Sequence, residues 1–142
     1  MNNEITIYNL LKLNDYKNLE NIIFYDFFNE EIKIGILPSS LKELTFGFHY
    51  NKIIKKYVLP NSLINLTFGS LFNQKIEKEV LPNSLINLSF GHSFKLNIQK
   101  EVLPKSLTDL TLGYYFNKEI EKEVLPNSLI NLTFGYSFNK KI

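Results

Sequence analysis

The 142-residue chain contains no cysteine, so disulfide bonds and thiolate metal sites are excluded. Its 16 cationic residues are all lysine and are interspersed with 14 acidic residues, which leaves no basic face for a nucleic acid. No apolar run approaches the roughly 18 residues of a membrane span, and the first residues lack the basic region of a signal peptide. We therefore expect a cytoplasmic protein without nucleic-acid or membrane partners.

Proline occurs only five times, always in the sequence Leu-Pro-x-Ser-Leu, and the spacing between copies is 22 residues each time. The five copies begin at Leu37, Leu59, Leu81, Leu103 and Leu125. A fixed period of this kind is typical of a solenoid, in which each repeat buries its apolar face against its neighbours. Below, positions 1 to 22 are counted from the first leucine of each copy.

The period predicts one repeat domain, residues 1–142. Residues 37–142 contain four full repeats and an incomplete fifth, and residues 1–36 contain an N-terminal segment and a degenerate capping coil from residue 15. Residues 1–14 lie outside the period. There, residues 4–7 alternate like a strand, whereas residues 8–13 fit a helical turn equally well.

Each repeat carries Leu-x-x-Leu-x-Phe at positions 5 to 10, with Leu112 in place of phenylalanine in the fourth, and the alternation at its end predicts a parallel strand. We expect strands at about 44–46, 66–68, 88–90, 110–112 and 132–134, with little helix. Phenylalanine at positions 10 and 14 predicts two stacked aromatic columns, and asparagine at position 15 is expected to bond to neighbouring backbone.

Three residue types are expected to shape the coil. Proline at position 2 predicts a tight bend, whose serine at position 4 is free to bond to backbone. Glycine at position 11 ends the strand either through a positive φ or because adjacent coils approach too closely for a Cβ.

The pattern Phe-Asn-x-x-Ile followed by Leu-Pro-x-Ser-Leu-x-x-Leu-x-Phe-Gly, as at residues 116–135, resembles the FNIP repeat of social amoebae and of giant viruses of amoebae. The resemblance covers about residues 15–142. It implies a leucine-rich-repeat-like solenoid that binds proteins, and a location in the host cytoplasm if the gene is viral. The family often has glycine at position 21, which only Gly35 keeps, and many viral members carry an F-box that the 14-residue leader here is too short to hold.

No catalytic constellation is present in the sequence, so we expect neither enzymatic activity nor a cofactor or metal. His49 and His92 fall two repeats apart, which separates them by roughly 10 Å in a stack with the spacing of a parallel sheet. The glycines are 22 residues apart and form no phosphate-binding loop. The lysines at position 20 alternate with acidic neighbours and indicate a solvated face.

Two surfaces are candidates for binding a protein. The outward position 7 of the strands carries Asn65, Asn87, Asp109 and Asn131, although such uniformity also fits a simple side-chain ladder. The sequence varies most just past the glycines, where an aromatic ridge for a protein interface would include His92, Tyr114, Tyr115 and Tyr136.

We therefore predict a non-catalytic protein-interaction module with an unidentified protein partner. The alternative is a truncated member of a substrate-adaptor family, without its F-box and with no independent function. The incomplete last repeat predicts an open strand edge, which favours self-association through the C-terminal coil.

Overall fold

The computed structural model describes residues 4–7, 9–10 and 17–141. Within them, seven strands form one sheet: β1 (Glu4–Ile7), β2 (Asn21–Phe24), β3 (Glu43–Thr45), β4 (Asn65–Thr67), β5 (Asn87–Ser89), β6 (Asp109–Thr111) and β7 (Asn131–Thr133). Each strand pairs in parallel with the next one in sequence. Because consecutive strands are parallel, the chain must return to the same end after each strand, and it forms a solenoid. The predicted fold class is confirmed, since no α-helix occurs in the described ranges.

The register of the sheet follows the period of the sequence. Leu44 pairs with Leu66 and Leu66 with Leu88, so each residue lies beside its counterpart 22 residues later. Strands β3 to β7 begin and end one residue earlier than predicted. The strands start earlier because the backbone amide at position 7 already donates to the preceding coil. For example, the Asn65 backbone amide donates to the Lys42 carbonyl at 2.9 Å.

The N-terminal segment adds a strand that the repeat pattern did not define. Residues Glu4–Ile7 form β1, which pairs with β2 in the same parallel register as the other strands. The alternation of residues 4–7 fits this strand, which the sequence alone left unassigned. Most of residues 8–13, where a helical turn was considered, lie outside the described ranges.

Each Leu-Pro-x-Ser-Leu segment forms a turn that is bonded to the coil before it. The Leu63 amide donates to the Pro60 carbonyl at 3.1 Å, which closes the turn. The Ser62 hydroxyl then donates to the Leu41 carbonyl at 2.6 Å, and Ser84, Ser106 and Ser128 repeat this bond at 2.6 to 2.7 Å. The expected role of the serine is confirmed.

Close approach, and not positive φ, explains the glycine at position 11. A Cβ on Gly91 would lie 2.1 Å from the carbonyl oxygen of Gly69, far inside van der Waals contact. The same clash recurs at Gly47, Gly69, Gly113 and Gly135, and none of these glycines has a positive φ. At these glycines, the backbone of each coil is therefore in direct contact with the backbone of the preceding coil.

Positive φ occurs instead at position 21, where only one of the five residues is glycine. Gly35 has φ 80°, and its counterparts Tyr57, Glu79, Glu101 and Glu123 have φ between 64° and 67°. Left-handed backbone is unfavourable for residues with a Cβ. Each of these four coils therefore contains one residue with a Cβ in unfavourable left-handed backbone.

Two columns of aromatic rings form the centre of the core. At position 10, Phe24, Phe46, Phe68 and Phe90 stack at 5.4 to 5.5 Å between ring centroids. At position 14, the rings from Phe28 to Phe138 stack at 5.9 to 6.3 Å. Within one coil the two rings are closer still, 3.9 Å apart for Phe90 and Phe94. The predicted columns are confirmed, with Leu112 as an interruption of the first.

Asparagine at position 15 bonds to the backbone of the next coil, as expected. The Asn51 side-chain oxygen accepts from the Asn73 amide at 2.9 Å, and the Asn117 oxygen accepts from the Asn139 amide at 3.0 Å. Lys95 replaces asparagine in the third full repeat and has no side-chain acceptor. Within the described chain the Asn117 amide accordingly lacks the bond that its counterparts make.

The aromatic columns predict that position 14 is most sensitive in the middle of the stack. Phe94 is 2% exposed and touches rings on both sides, whereas Phe138 is half-buried and has Phe116 on one side only. We expect Phe94→Ala to lower the free energy of unfolding by about 3 to 5 kcal/mol and Phe138→Ala by clearly less. Denaturant unfolding of the two variants measures both values, and equal losses would contradict the stacking.

The strain at position 21 predicts a stabilising substitution. We expect Glu101→Gly to be more stable than Glu101→Ala by about 1 kcal/mol, because glycine accepts φ near 64° without a Cβ clash. Both variants remove the exposed ion pair with Lys78. The difference between their free energies of unfolding therefore isolates the cost of the left-handed backbone conformation. Thermal and denaturant unfolding provide the comparison, and an alanine variant as stable as the glycine variant would refute the strain.

Candidate protein-binding surface

The structure divides the eight candidate residues between two surfaces. Asn65, Asn87, Asp109 and Asn131 each begin a strand and point away from the core on the outer face of the sheet. His92, Tyr114, Tyr115 and Tyr136 lie beyond the opposite ends of the strands, directly after the glycines. The two sets are separated by the length of a strand and do not form one site.

The sheet-face residues bond mainly to one another. The side-chain amide of Asn65 donates to the Glu43 carboxylate at 3.0 Å, and that of Asn87 donates to the side-chain oxygen of Asn65 at 2.5 Å. Asn131 in turn donates to the Asp109 carboxylate at 2.6 Å. These contacts form the side-chain ladder that the uniform sequence suggested, and they occupy groups that a ligand would otherwise use.

Asp109, like Glu43, differs from the asparagines of the ladder because it is an acceptor only. The Thr108 hydroxyl donates to one of its oxygens at 2.5 Å, and the Asn131 amide donates to the other. These two hydrogen bonds, that from Thr108 first, hold the pKa of Asp109 below its ordinary value. Around it a shallow groove of about 230 Å³ runs over β4, β5 and β6 and is lined by Asn65, Thr67, Asn87, Ser89, Asp109 and Thr111.

The residues after the glycines form a continuous exposed stack, which we call the aromatic edge: His92, Tyr114, Tyr115 and Tyr136. The Tyr114 ring lies 5.3 Å from that of Tyr136, with 9° between the planes, and 5.8 Å from the His92 ring. Tyr115 meets Tyr114 edge to face at 5.0 Å. Exposure rises along the stack to 84% for Tyr136, so these rings face solvent and do not pack in the core.

The position of the aromatic edge follows from the fold. Each glycine fixes the backbone of one coil against the next, and position 12 therefore falls in register with its counterparts one coil away. Backbone hydrogen bonds beside the rings maintain that register. For example, the Tyr115 backbone amide donates to the His92 carbonyl at 3.0 Å. The backbone that carries the rings is therefore held in place by its contacts and hydrogen bonds with the neighbouring coils.

A second aromatic cluster lies at the N-terminal end of the same side, outside the four residues predicted for the aromatic ridge. Phe27 stacks on His49 at 4.7 Å, and His49 meets Phe48 at 4.9 Å. Phe27 is 68% exposed. It was missed because it belongs to the degenerate coil, although its place at position 13 of that coil would have indicated the same side.

The remaining surface shows paired charges and no reactive cluster. Lys56 contacts Glu79 at 2.6 Å, Lys78 contacts Glu101, and Lys100 contacts Glu123 at 3.0 Å, so the expected solvated face is present. A groove of about 560 Å³ runs along the Leu-Pro turns beside these pairs. Among the described residues no three His, Asp or Glu side chains come together in a way that would hold a metal ion. The same residues contain no helix with the length and hydrophobicity of a membrane span.

The coils, their parallel strands and their regular turns define a leucine-rich-repeat-like solenoid. The FNIP Repeat family matches residues 17–49, 28–71, 50–93, 72–115 and 116–142, and the chain belongs to this family.

Among solved structures, the chain is similar to the giant-virus protein CroV588, described as a circular leucine-rich-repeat protein with a novel structure. The two share 52% sequence identity with a TM-score of 0.82 over 83% of this chain. The match spans only 17% of that longer chain. No curated protein matches this sequence.

The environment of Asp109 predicts a measurable titration. Its lowered pKa means that its contribution to stability is present above the ordinary aspartate pKa and is lost as pH falls through the lowered folded value. In an NMR titration we expect the Asp109 carboxyl to titrate below the ordinary value of 3.8, and Asn131→Ala to raise its pKa. An unchanged pKa in that variant would show that the ladder bond does not form in solution.

Proposed function

We propose that the protein is a non-catalytic interaction module that binds a protein partner through the aromatic edge. The observation that carries the proposal is the exposed, stacked set of four aromatic rings on a backbone that the glycine contacts hold rigid. Tyrosine is enriched at protein interfaces because it combines a large apolar ring with a hydroxyl group and has few rotatable bonds.

The aromatic edge is a better binding surface than the sheet face. On the sheet face, the polar groups of the ladder already bond to one another, and a partner would have to displace those bonds. On the aromatic edge, Tyr115 is 56% exposed and Tyr136 is 84% exposed, so docking a partner would remove apolar surface from water. Ring stacking also reduces the side-chain entropy that binding would cost.

The absence of catalysis is part of the same proposal. His49 stacks on Phe27 and its Nδ1 lies 3.0 Å from the Asp26 carbonyl oxygen, whereas His92 lies beside Tyr114 with its Nδ1 3.4 Å from the Ser70 hydroxyl. The two histidines therefore belong to different clusters, and among the described residues neither forms an ion pair or a hydrogen bond with a carboxylate side chain. Leucine-rich-repeat-like solenoids are typically scaffolds, which supports the same interpretation.

The proposal predicts a loss of binding when two stacked tyrosine rings of the aromatic edge are removed. We expect the double variant Tyr114→Ala, Tyr136→Ala to bind its partner at least about tenfold more weakly, since buried tyrosines commonly contribute more than 1 kcal/mol each. Partners are captured from cells with immobilised wild-type protein, identified, purified and measured by calorimetry against both proteins. Circular dichroism confirms that the double variant remains folded.

Tyr57→Ala is the matched control. Tyr57 is 73% exposed, like the tyrosines of the aromatic edge, but it lies at position 21 beside the Leu-Pro turns. The proposal requires that Tyr57→Ala binds as the wild type does. A partner lost equally in both variants would place binding elsewhere, and the absence of any saturable partner would favour the alternative of a family remnant without independent function.

A further inference from the structure

The asparagine column at position 15 lacks one hydrogen bond, at the junction between Lys95 and Asn117. The Lys95 backbone keeps the usual register, because its amide donates to the side-chain oxygen of Asn73 at 3.1 Å. The Lys95 side chain offers no acceptor in return, so the Asn117 backbone amide has no partner among the described residues. The rings of Phe94 and Phe116, one residue earlier, are 6.2 Å apart, which makes Lys95 and this unpaired amide direct neighbours on adjacent coils.

A pocket of about 440 Å³ lies at this junction, and a pocket of this size fits a small molecule. Asn117 directly precedes a residue that lines the pocket, so the unpaired amide lies at its margin. The lining comes from three consecutive repeats and contains three lysines, two side-chain amides and no carboxylate: Lys75, Lys95, Leu96, Asn97, Gln99 and Lys118. The electrostatic potential in the pocket is therefore positive.

Most of the polar groups in the pocket are free to bind a ligand. Lys95 and Lys118 form no ion pair in the described part of the chain, unlike most lysines at position 20. Lys75 contacts Glu77 at 2.8 Å, but both side chains are about half exposed, so the pair is weak and the ammonium group keeps further N–H donors. The two side-chain amides of the lining form no hydrogen bond with another described residue. An anion in the pocket would therefore meet unpaired cations and unused N–H donors.

We propose that this pocket binds the phosphate group of a small phosphorylated molecule. One phosphate oxygen occupies the place of the missing asparagine oxygen and accepts from the Asn117 backbone amide. The other oxygens accept from the ammonium groups of Lys75, Lys95 and Lys118. The half-buried Leu96 and the aliphatic stems of the lysines provide an apolar wall for the organic part of the molecule.

The charge distribution favours a single phosphate group over a carboxylate and over a chain of phosphates. A phosphate monoester carries a charge of about −1.5 to −2 at pH 7 and three acceptor oxygens, which matches three cations better than one carboxylate charge does. The neighbouring groove carries the exposed Glu119 and Glu121, and its two lysines contact other glutamates. A nucleic acid or another polyanion would extend over these carboxylates and be repelled by them.

Titration with phenyl phosphate at constant ionic strength, followed through the backbone amide signals in NMR spectra, tests the site. We expect the Asn117 amide signal to shift and to saturate, because the amide gains an acceptor. The equivalent signals of Asn51 and Asn73 should shift far less, since these amides already donate to asparagine oxygens at 2.9 Å. Benzoate has the same ring with a carboxylate, and inorganic phosphate lacks the ring, so both should bind at least about threefold more weakly than phenyl phosphate.

Lys95→Asn is the decisive variant, because it removes a cation and restores the acceptor for the Asn117 amide. We expect it to bind phenyl phosphate at least about tenfold more weakly than the wild type. Lys105→Asn is the matched control: it also removes an exposed lysine where the neighbouring repeats have asparagine, at Asn83 and Asn127, but it lies beside the Leu-Pro turns. This control should bind phenyl phosphate as the wild type does, and thermal unfolding verifies that both variants are folded.

Several results would overturn the proposal. The absence of a saturable Asn117 shift at about 10 mM phenyl phosphate excludes the site. Unchanged binding by Lys95→Asn would place the anion elsewhere, and equal weakening in both lysine variants would show a nonspecific attraction to net charge. Benzoate bound as tightly as phenyl phosphate would show no selection for phosphate, and inorganic phosphate bound as tightly would assign the pocket to the free ion and not to a phosphorylated molecule.

Discussion

The backbone contact at position 11 is the constraint on which the rest of the structure depends. Each glycine lies directly over the carbonyl oxygen of the residue one coil below, with no space for a Cβ. This contact brings the coils close enough for the strand ladder, the serine bonds of the turns and the stacking of Phe90 on Phe68. Since the same contact recurs at the five junctions from Gly47 to Gly135, equivalent residues form straight columns across these coils.

The columns explain why we propose binding at only part of the surface. In the core, packing fixes the columns, and on the sheet face the asparagine side chains form hydrogen bonds with one another. On the Leu-Pro side, lysine and glutamate pair between coils at sites exposed enough that their effect on stability is small. The side chains just past the glycines are not constrained by core packing, the asparagine ladder or these ion pairs. The repeats differ most there, and they expose His92, Tyr114 and Tyr136.

Most of the fold could be predicted from the sequence, because a 22-residue period repeats each structural requirement five times. The proline turns, the serine bonds and the phenylalanine columns were all visible in it. Features that occur once were not: β1 has no repeat partner in the sequence, and Phe27 lies in a coil whose pattern has decayed. The positive φ at Glu101 was hidden as well, because glutamate does not signal left-handed backbone as glycine does.

The stability of Gly91→Ala tests the central claim most directly. Its Cβ would lie 2.1 Å from the Gly69 carbonyl oxygen, and relief would require two coils to separate. Gly35→Ala is the control, since its Cβ would meet nothing within 4 Å and only the positive φ opposes it. We predict that Gly91→Ala lowers the free energy of unfolding by about 3 kcal/mol or more and Gly35→Ala by about 1 kcal/mol. Equal losses in the two variants would contradict the account.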